Sequence, residues 1–104
     1  MPLFIKTEQF TKETLNLLPL KRHNYLQEHI SWVKKLKAKG KQISSGYLIN
    51  KNKKPGGGGL LLIEATCFQE AKQLVEQDPM IKNKLVKWTL QEWVSVSGNL
   101  SISS

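Results

Sequence analysis

The amino-acid sequence predicts an α+β domain of the ferredoxin-like kind, βαββαβ, built on a four-stranded antiparallel sheet. Three observations carry that expectation. Apolar spacing alternates between periods of two and 3.6 in the order strand, helix, strand, strand, helix, strand. The chain, 104 residues long, is the length of one domain with a modest core. The run Leu60 to Ile63 is apolar without alternation, so the strand it forms needs cover on both faces.

The first strand is read over Leu3 to Glu8, with Leu3 and Ile5 on one side and Phe4 and Lys6 on the other. Thr11 to Leu20 has helical content interrupted by Pro19, and this segment either covers the sheet edge or begins the main helix. Asn24 with Gln27 three residues on resembles a capping box, which places the helix at Asn24 to Lys39, with a lead-in from Leu20. Leu26, Ile30, Val33 and Leu36 mark its apolar face, and His29 falls inside that stripe. Gly40 ends it in a left-handed stop.

Gln42 to Ile49 reads as strand two, in which Gly46 marks a bulge or a close backbone approach. Asn50 to Gly59 joins lysines, Pro55 and four glycines, a composition expected to form a mobile hairpin connection. Strand three follows at Leu60, and Thr66 with Gln69 proposes a second capping box ahead of a helix over Cys67 to Gln77. Asp78 and Pro79 stop that helix, because the residue before a proline leaves the α region. A short link, Met80 to Lys84, leads to strand four, Leu85 to about Val94, with Val86, Trp88, Leu90 and Val94 on one face and Lys87, Thr89 and Gln91 on the other. The domain is thus drawn at 1–94. The serine-rich segment 95–104 keeps Val96, Leu100 and Ile102 in partial alternation and is expected to add an edge strand, pair with a second subunit, or fray.

Right-handed crossovers put both helices on one side of such a sheet and leave the other side bare. Either Leu60 and Leu62 or Leu61 and Ile63 then face outward, and a homodimer of face-packed sheets would cover them.

A formal charge of +8 comes almost wholly from lysine, with Arg22 the single arginine. Arginine is the preferred reader of base edges and phosphate, so its scarcity argues against a nucleic-acid partner. No apolar run reaches the ~20 residues that cross a bilayer, and the amino end lacks a signal-peptide pattern. Cys67 stands alone, which rules out an internal disulfide and fits a reducing cytoplasm.

For chemistry, the sequence offers few groups. His29 is either a general acid or base of near-neutral pKa or a satisfied core histidine. Asp78 is either its carboxylate partner or the cap of the turn opened by Pro79. Ser45 is a hydroxyl beside Gly46 on a strand and reads as a polar contact in a cleft, since no base is tied to it by sequence. Trp32 beside His29 suits a planar ligand, although tryptophans more often anchor cores. His23 lies six residues before His29, the wrong spacing for two ligands on one helix face, and reads as surface. No cysteine pair, HExxH or carboxylate cluster points to a metal, and no cofactor is implied. Cys67 reads as a small residue tucked under Phe68. The run Gly56 to Gly59 is not a phosphate loop, because it enters a strand rather than a helix.

His29 in the first helix, Gly40 closing it, Ser45 and Gly46, the glycine-led strand Gly58 to Ala65, the Asp78–Pro79 pair and a last strand carrying Trp88 and Trp93 together resemble the YCII-related family, over about Leu3 to Val94. The resemblance implies a dimeric α+β barrel whose cleft holds a histidine and an aspartate, here His29 and Asp78, as a catalytic pair. It implies a homodimer, and some relatives act on small cyclic or aromatic compounds by elimination or isomerisation, while most have no assigned reaction; in such a cleft Ser45, Gly46 and Trp32 are read as the substrate contacts. The alternative that it leaves is a non-catalytic binding or accessory module of the same fold. The lysine and glycine hairpin and the serine-rich tail depart from the family pattern and alter the expected cleft mouth.

Overall fold

A computed structural model describes residues 1–98 of the chain. Its elements run β1 (Leu3–Phe10), α1 (Lys12–Leu15), α2 (Pro19–Ala38), β2 (Ile43–Ile49), β3 (Pro55–Glu64), α3 (Phe68–Val75), α4 (Pro79–Lys82) and β4 (Val86–Trp93). The strands form one antiparallel sheet in the order β2-β3-β1-β4, which is the ferredoxin-like arrangement expected.

Phe4, Leu61 and Ile63 from the sheet meet Leu36 of α2 and Ala71 and Val75 of α3 in the core. That resolves which leucines face outward. Strand alternation sends Leu61 and Ile63 to the helices and leaves Leu60 and Leu62 half-buried on the bare side, with Ile5 between strands. Lys87, Thr89 and Gln91 are exposed there as expected, and Thr7 and Thr89 share a hydrogen bond of 2.6 Å. A smaller cluster of Met80, Leu85 and Val86 closes the end of the sheet under Phe10, Leu17 and Tyr25.

Several boundaries differ from the sequence reading, each for a local reason. The main helix starts at Pro19, with Leu18 as its N-cap, so Asn24 and Gln27 lie inside it and form no capping box. Proline at the first helical position costs nothing, because its missing N–H would have had no partner. Helix α3 starts at Phe68 behind Cys67, and the side chain that reaches back is Glu70, which accepts from Thr66 N–H and Oγ1–H at 3.2 and 3.0 Å. Cys67 itself is exposed, not tucked under Phe68. The expected link after Asp78 contains a helical turn, α4.

The largest difference is the glycine run, which belongs to β3 and not to a mobile connection. Gly58 and Gly59 pair with Gln9 and Glu8 of β1. A Cβ on Gly58 would stand 2.8 Å from the Glu8 carbonyl oxygen, so here glycine permits a close approach between strands. The turn shrinks to Asn50–Lys54, where Asn50 Oδ1 accepts from the N–H groups of Asn52 and Lys54. Gly46 has open space around it, and the register shift falls further on, between Tyr47 and Ile49. Residues 95–98 form no strand, and Leu100 and Ile102 of the proposed edge strand lie outside the described residues.

Candidate functional site

Three segments far apart in sequence supply the site. The buried stripe of α2 delivers His29, the turn of α4 delivers Asp78 and edge strand β2 delivers Ser45. Asp78 is the N-cap of α4, its Oδ1 accepting from Met80 N–H at 2.9 Å. This carboxylate caps α4 and also meets the imidazole, because the same Oδ1 lies 2.9 Å from His29 Nδ1.

An ionised carboxylate only accepts, so the neutral imidazole carries its proton on Nδ1. Nε2 is then the acceptor, and Ser45 Oγ lies 2.7 Å from it. One flank of the ring is sealed against a fully buried aspartate, and the other meets Ser45, an exposed residue on the helix-facing side of edge strand β2. A histidine so fixed holds a basic lone pair at the boundary with solvent.

Behind Asp78 lies a feature the sequence reading missed. Lys6 has no exposed surface, and its Nζ stands 2.8 Å from Asp78 Oδ2 and 2.7 Å from Glu8 Oε1. The chain of contacts therefore runs Glu8, Lys6, Asp78, His29, Ser45. Burial pushes the Asp78 carboxyl up, but the hydrogen bond from His29 and the charge of Lys6 outweigh it and hold the group below its usual 3.8. With every buried side-chain polar atom among the described residues hydrogen-bonded, the cluster is internally satisfied. The signal for Lys6 was present in β1: Phe4, Lys6 and Glu8 share the core-facing side, and opposite charges two residues apart on that side mark an internal pair.

Trp32, one helical turn after His29, sets its ring 5.7 Å from the imidazole at a tilt of 43°. It also lines an open groove of about 690 Å³ between α2 and α4, with Glu28, Lys35, Pro79 and Lys82. Gly46 goes elsewhere. Strand alternation turns it away from Ser45, toward a hollow of about 230 Å³ on the bare face of the sheet beside Leu48, Leu60 and Leu62. A third hollow, of about 410 Å³, takes in Glu8, Gly59 and Trp88 at the end of the sheet and continues onto Thr7, Lys87 and Thr89. His23 is exposed. Among the described residues no group of three or more His, Cys, Asp or Glu side chains is placed to hold a metal ion. No helix among them is long and apolar enough to cross a membrane.

Comparison with known proteins adds the following. The model of the YCII-related domain matches residues 3–93. No curated protein matches the sequence. Among solved structures, the fold is similar to that of 5-chloro-2-hydroxyhydroquinone dehydrochlorinase (TftG) from Burkholderia phenoliruptrix AC1100, in complex with 2,5-dihydroxybenzoquinone. The TM-score is 0.68 at 23% identity, over 88% of this chain and 93% of that one. It is similar to a dimeric ferredoxin-like protein from an uncultured marine organism, with a TM-score of 0.50 at 19% identity over 95% of this chain and 100% of that chain. A designed protein, Ferredog-Diesel, shares the fold with a TM-score of 0.57 at 14% identity, over 88% of this chain and 84% of that chain.

Proposed function

This chain belongs to the YCII-related family, and from that premise we propose that it binds a small cyclic or aromatic compound and moves a proton on it, in an elimination or an isomerisation. The observation that carries the reading is the contact between His29 Nδ1 and Asp78 Oδ1, 2.9 Å long, with the carboxylate fully buried and the ring's other nitrogen 2.7 Å from the hydroxyl of exposed Ser45. Nε2 takes a proton from an activated C–H or O–H of the ligand, and the ring becomes an imidazolium that the Asp78 carboxylate stabilises. In an elimination, the electron pair released forms the new double bond and a halide leaves with its bonding pair. In an isomerisation, Nε2 returns the proton to another atom of the same ring.

Ser45, on Nε2, is the contact that a ligand hydroxyl or carbonyl shares or displaces, and the Trp32 ring offers a flat apolar surface near the imidazole. That a protein of this fold acts as a dehydrochlorinase on a hydroquinone supports the choice of substrate class. We propose also that the working unit is a homodimer in the cytoplasm, its bare sheet faces packed together over Ile5, Leu60 and Leu62.

Turnover of a panel of cyclic enols and halogenated hydroquinones by the wild-type chain and by His29→Ala tests the reading. A loss of about a hundred- to ten-thousand-fold in the variant, with the fold intact by circular dichroism, is expected for a general base. Ligand binding with no histidine-dependent turnover sinks the enzymatic reading and leaves a binding module of the same fold.

A further inference from the structure

We propose that Ser45 is a nucleophile, and that this chain transfers acyl groups from small activated esters through a covalent acyl-serine. The proposal stands apart from the proton-transfer reading, sharing its imidazole but not its substrate class. Three groups lie in series: Ser45 Oγ is 2.7 Å from His29 Nε2, and His29 Nδ1 is 2.9 Å from Asp78 Oδ1. A hydroxyl hydrogen-bonded to an imidazole whose far nitrogen is held by a buried carboxylate is the arrangement that activates a serine. The carboxylate is held in turn by Met80 N–H and by Lys6, which fixes the tautomer that leaves Nε2 free to accept.

The serine is also accessible. Ser45 is exposed on β2, an edge strand of the sheet, so a carbonyl carbon can approach Oγ from solvent. Glu64 N–H bonds to Gln42 O, and the alternation of an antiparallel pair then directs the Ser45 N–H away from β3, onto the open edge. The residue that attacks thus brings a backbone donor to the same edge, where negative charge develops on the carbonyl oxygen.

Each step balances. Oγ forms a bond to the carbonyl carbon as its proton passes to Nε2. The tetrahedral species collapses, the bond to the leaving oxygen breaks and that oxygen takes the proton from Nε2. Water repeats the sequence on the acyl-serine, so that ester and water give acid and alcohol.

The test is pre-steady-state release of p-nitrophenolate from p-nitrophenyl acetate by the full chain, with the acylated peptide located by mass spectrometry. A burst of one equivalent per chain with the acetyl group on Ser45, absent from Ser45→Ala, is the expected result. A fluorophosphonate probe that labels Ser45 in the wild type supports the same assignment without relying on any variant's fold. No burst, or acetyl groups scattered over lysines and unchanged in Ser45→Ala, overturns the proposal. Turnover of ring substrates by a chain that takes no acyl group removes this proposal alone, and acylation without turnover of ring substrates removes the earlier reading alone.

Discussion

Lys6 and Asp78 form an ion pair 2.8 Å long although neither side chain reaches solvent. A buried pair is a weak source of net stability, but breaking it by removing one partner leaves an uncompensated buried charge. Its placement matters more than its strength. Lys6 lies on the central strand β1 and Asp78 on the cap of α4, so the pair ties the sheet to the turn that supplies the histidine's partner. The second contact of Lys6, to Glu8, means that one ammonium offsets two carboxylates.

Replacing Lys6 by methionine keeps the volume and removes the charge, leaving Asp78 and Glu8 unscreened from each other. The expected loss is about 3–5 kcal/mol of folding free energy. Lys6→Met with Glu8→Gln recovers part of it, since one of the two repelling carboxylates is gone. Urea denaturation of the two variants against wild type measures both effects, and a single variant as stable as wild type contradicts the charge argument.

Asp78 also contributes to the pH dependence of stability in acid. Its carboxyl is held below the usual 3.8 in the folded chain, so the unfolded chain binds the proton first as pH falls. The stability that Asp78 contributes is therefore fully present above about pH 4 and is lost as the pH drops below that value toward the folded-state pKa. Asp78→Asn is expected to be less stable at neutral pH and to lose less on acidification. Denaturation midpoints taken between neutral pH and about pH 3 test this, and parallel curves for wild type and variant would contradict it.

How much of this was legible in the sequence varies with the range of the interaction. Strand and helix periodicity is local, and it led from Leu3, Leu61 and Val86 to the observed sheet. His29 stood out because an imidazole interrupts an apolar stripe. Ser45 did not stand out as a partner of His29, since the contact depends on how β2 lies against α2. Lys6 was seen to share a face with Phe4, yet nothing along β1 says which carboxylate it will meet across the fold. The glycine run misled because its composition is that of a loop, whereas the reason for it is the nearness of the Glu8 carbonyl on a neighbouring strand.

That reason separates two glycines. Gly58→Ala would put a methyl carbon 2.8 Å from the Glu8 carbonyl oxygen, which the central strand cannot yield without disturbing its pairing. A cost of about 1–3 kcal/mol is expected, as for overpacking. Gly46→Ala meets nothing within 4 Å and restrains the unfolded chain, so its effect is neutral or a gain of about 0.5–1 kcal/mol. Thermal melts of the two variants side by side check the contrast.

The bare side of the sheet supplies the last prediction. Leu62 pairs with Ile5 of β1 on one side and Ser44 of β2 on the other, in the interior of that face. Half-buried Leu60 and the more exposed Leu48, at 53%, line a hollow with it, and Trp93, at 38%, stands on the same face across β1. Contiguous apolar surface of this kind is costly in water, and a second copy of the same face is the simplest cover for it. A lysine at position 62 would place a charge in the middle of such an interface, with no counter-charge among Leu60, Ile5 and Ser44 to meet it. Light scattering is expected to give twice 11.9 kDa for the wild type and 11.9 kDa for Leu62→Lys, with circular dichroism unchanged. The interface is not on this face if the wild-type chain is monomeric at micromolar concentration, or if Leu62→Lys still doubles.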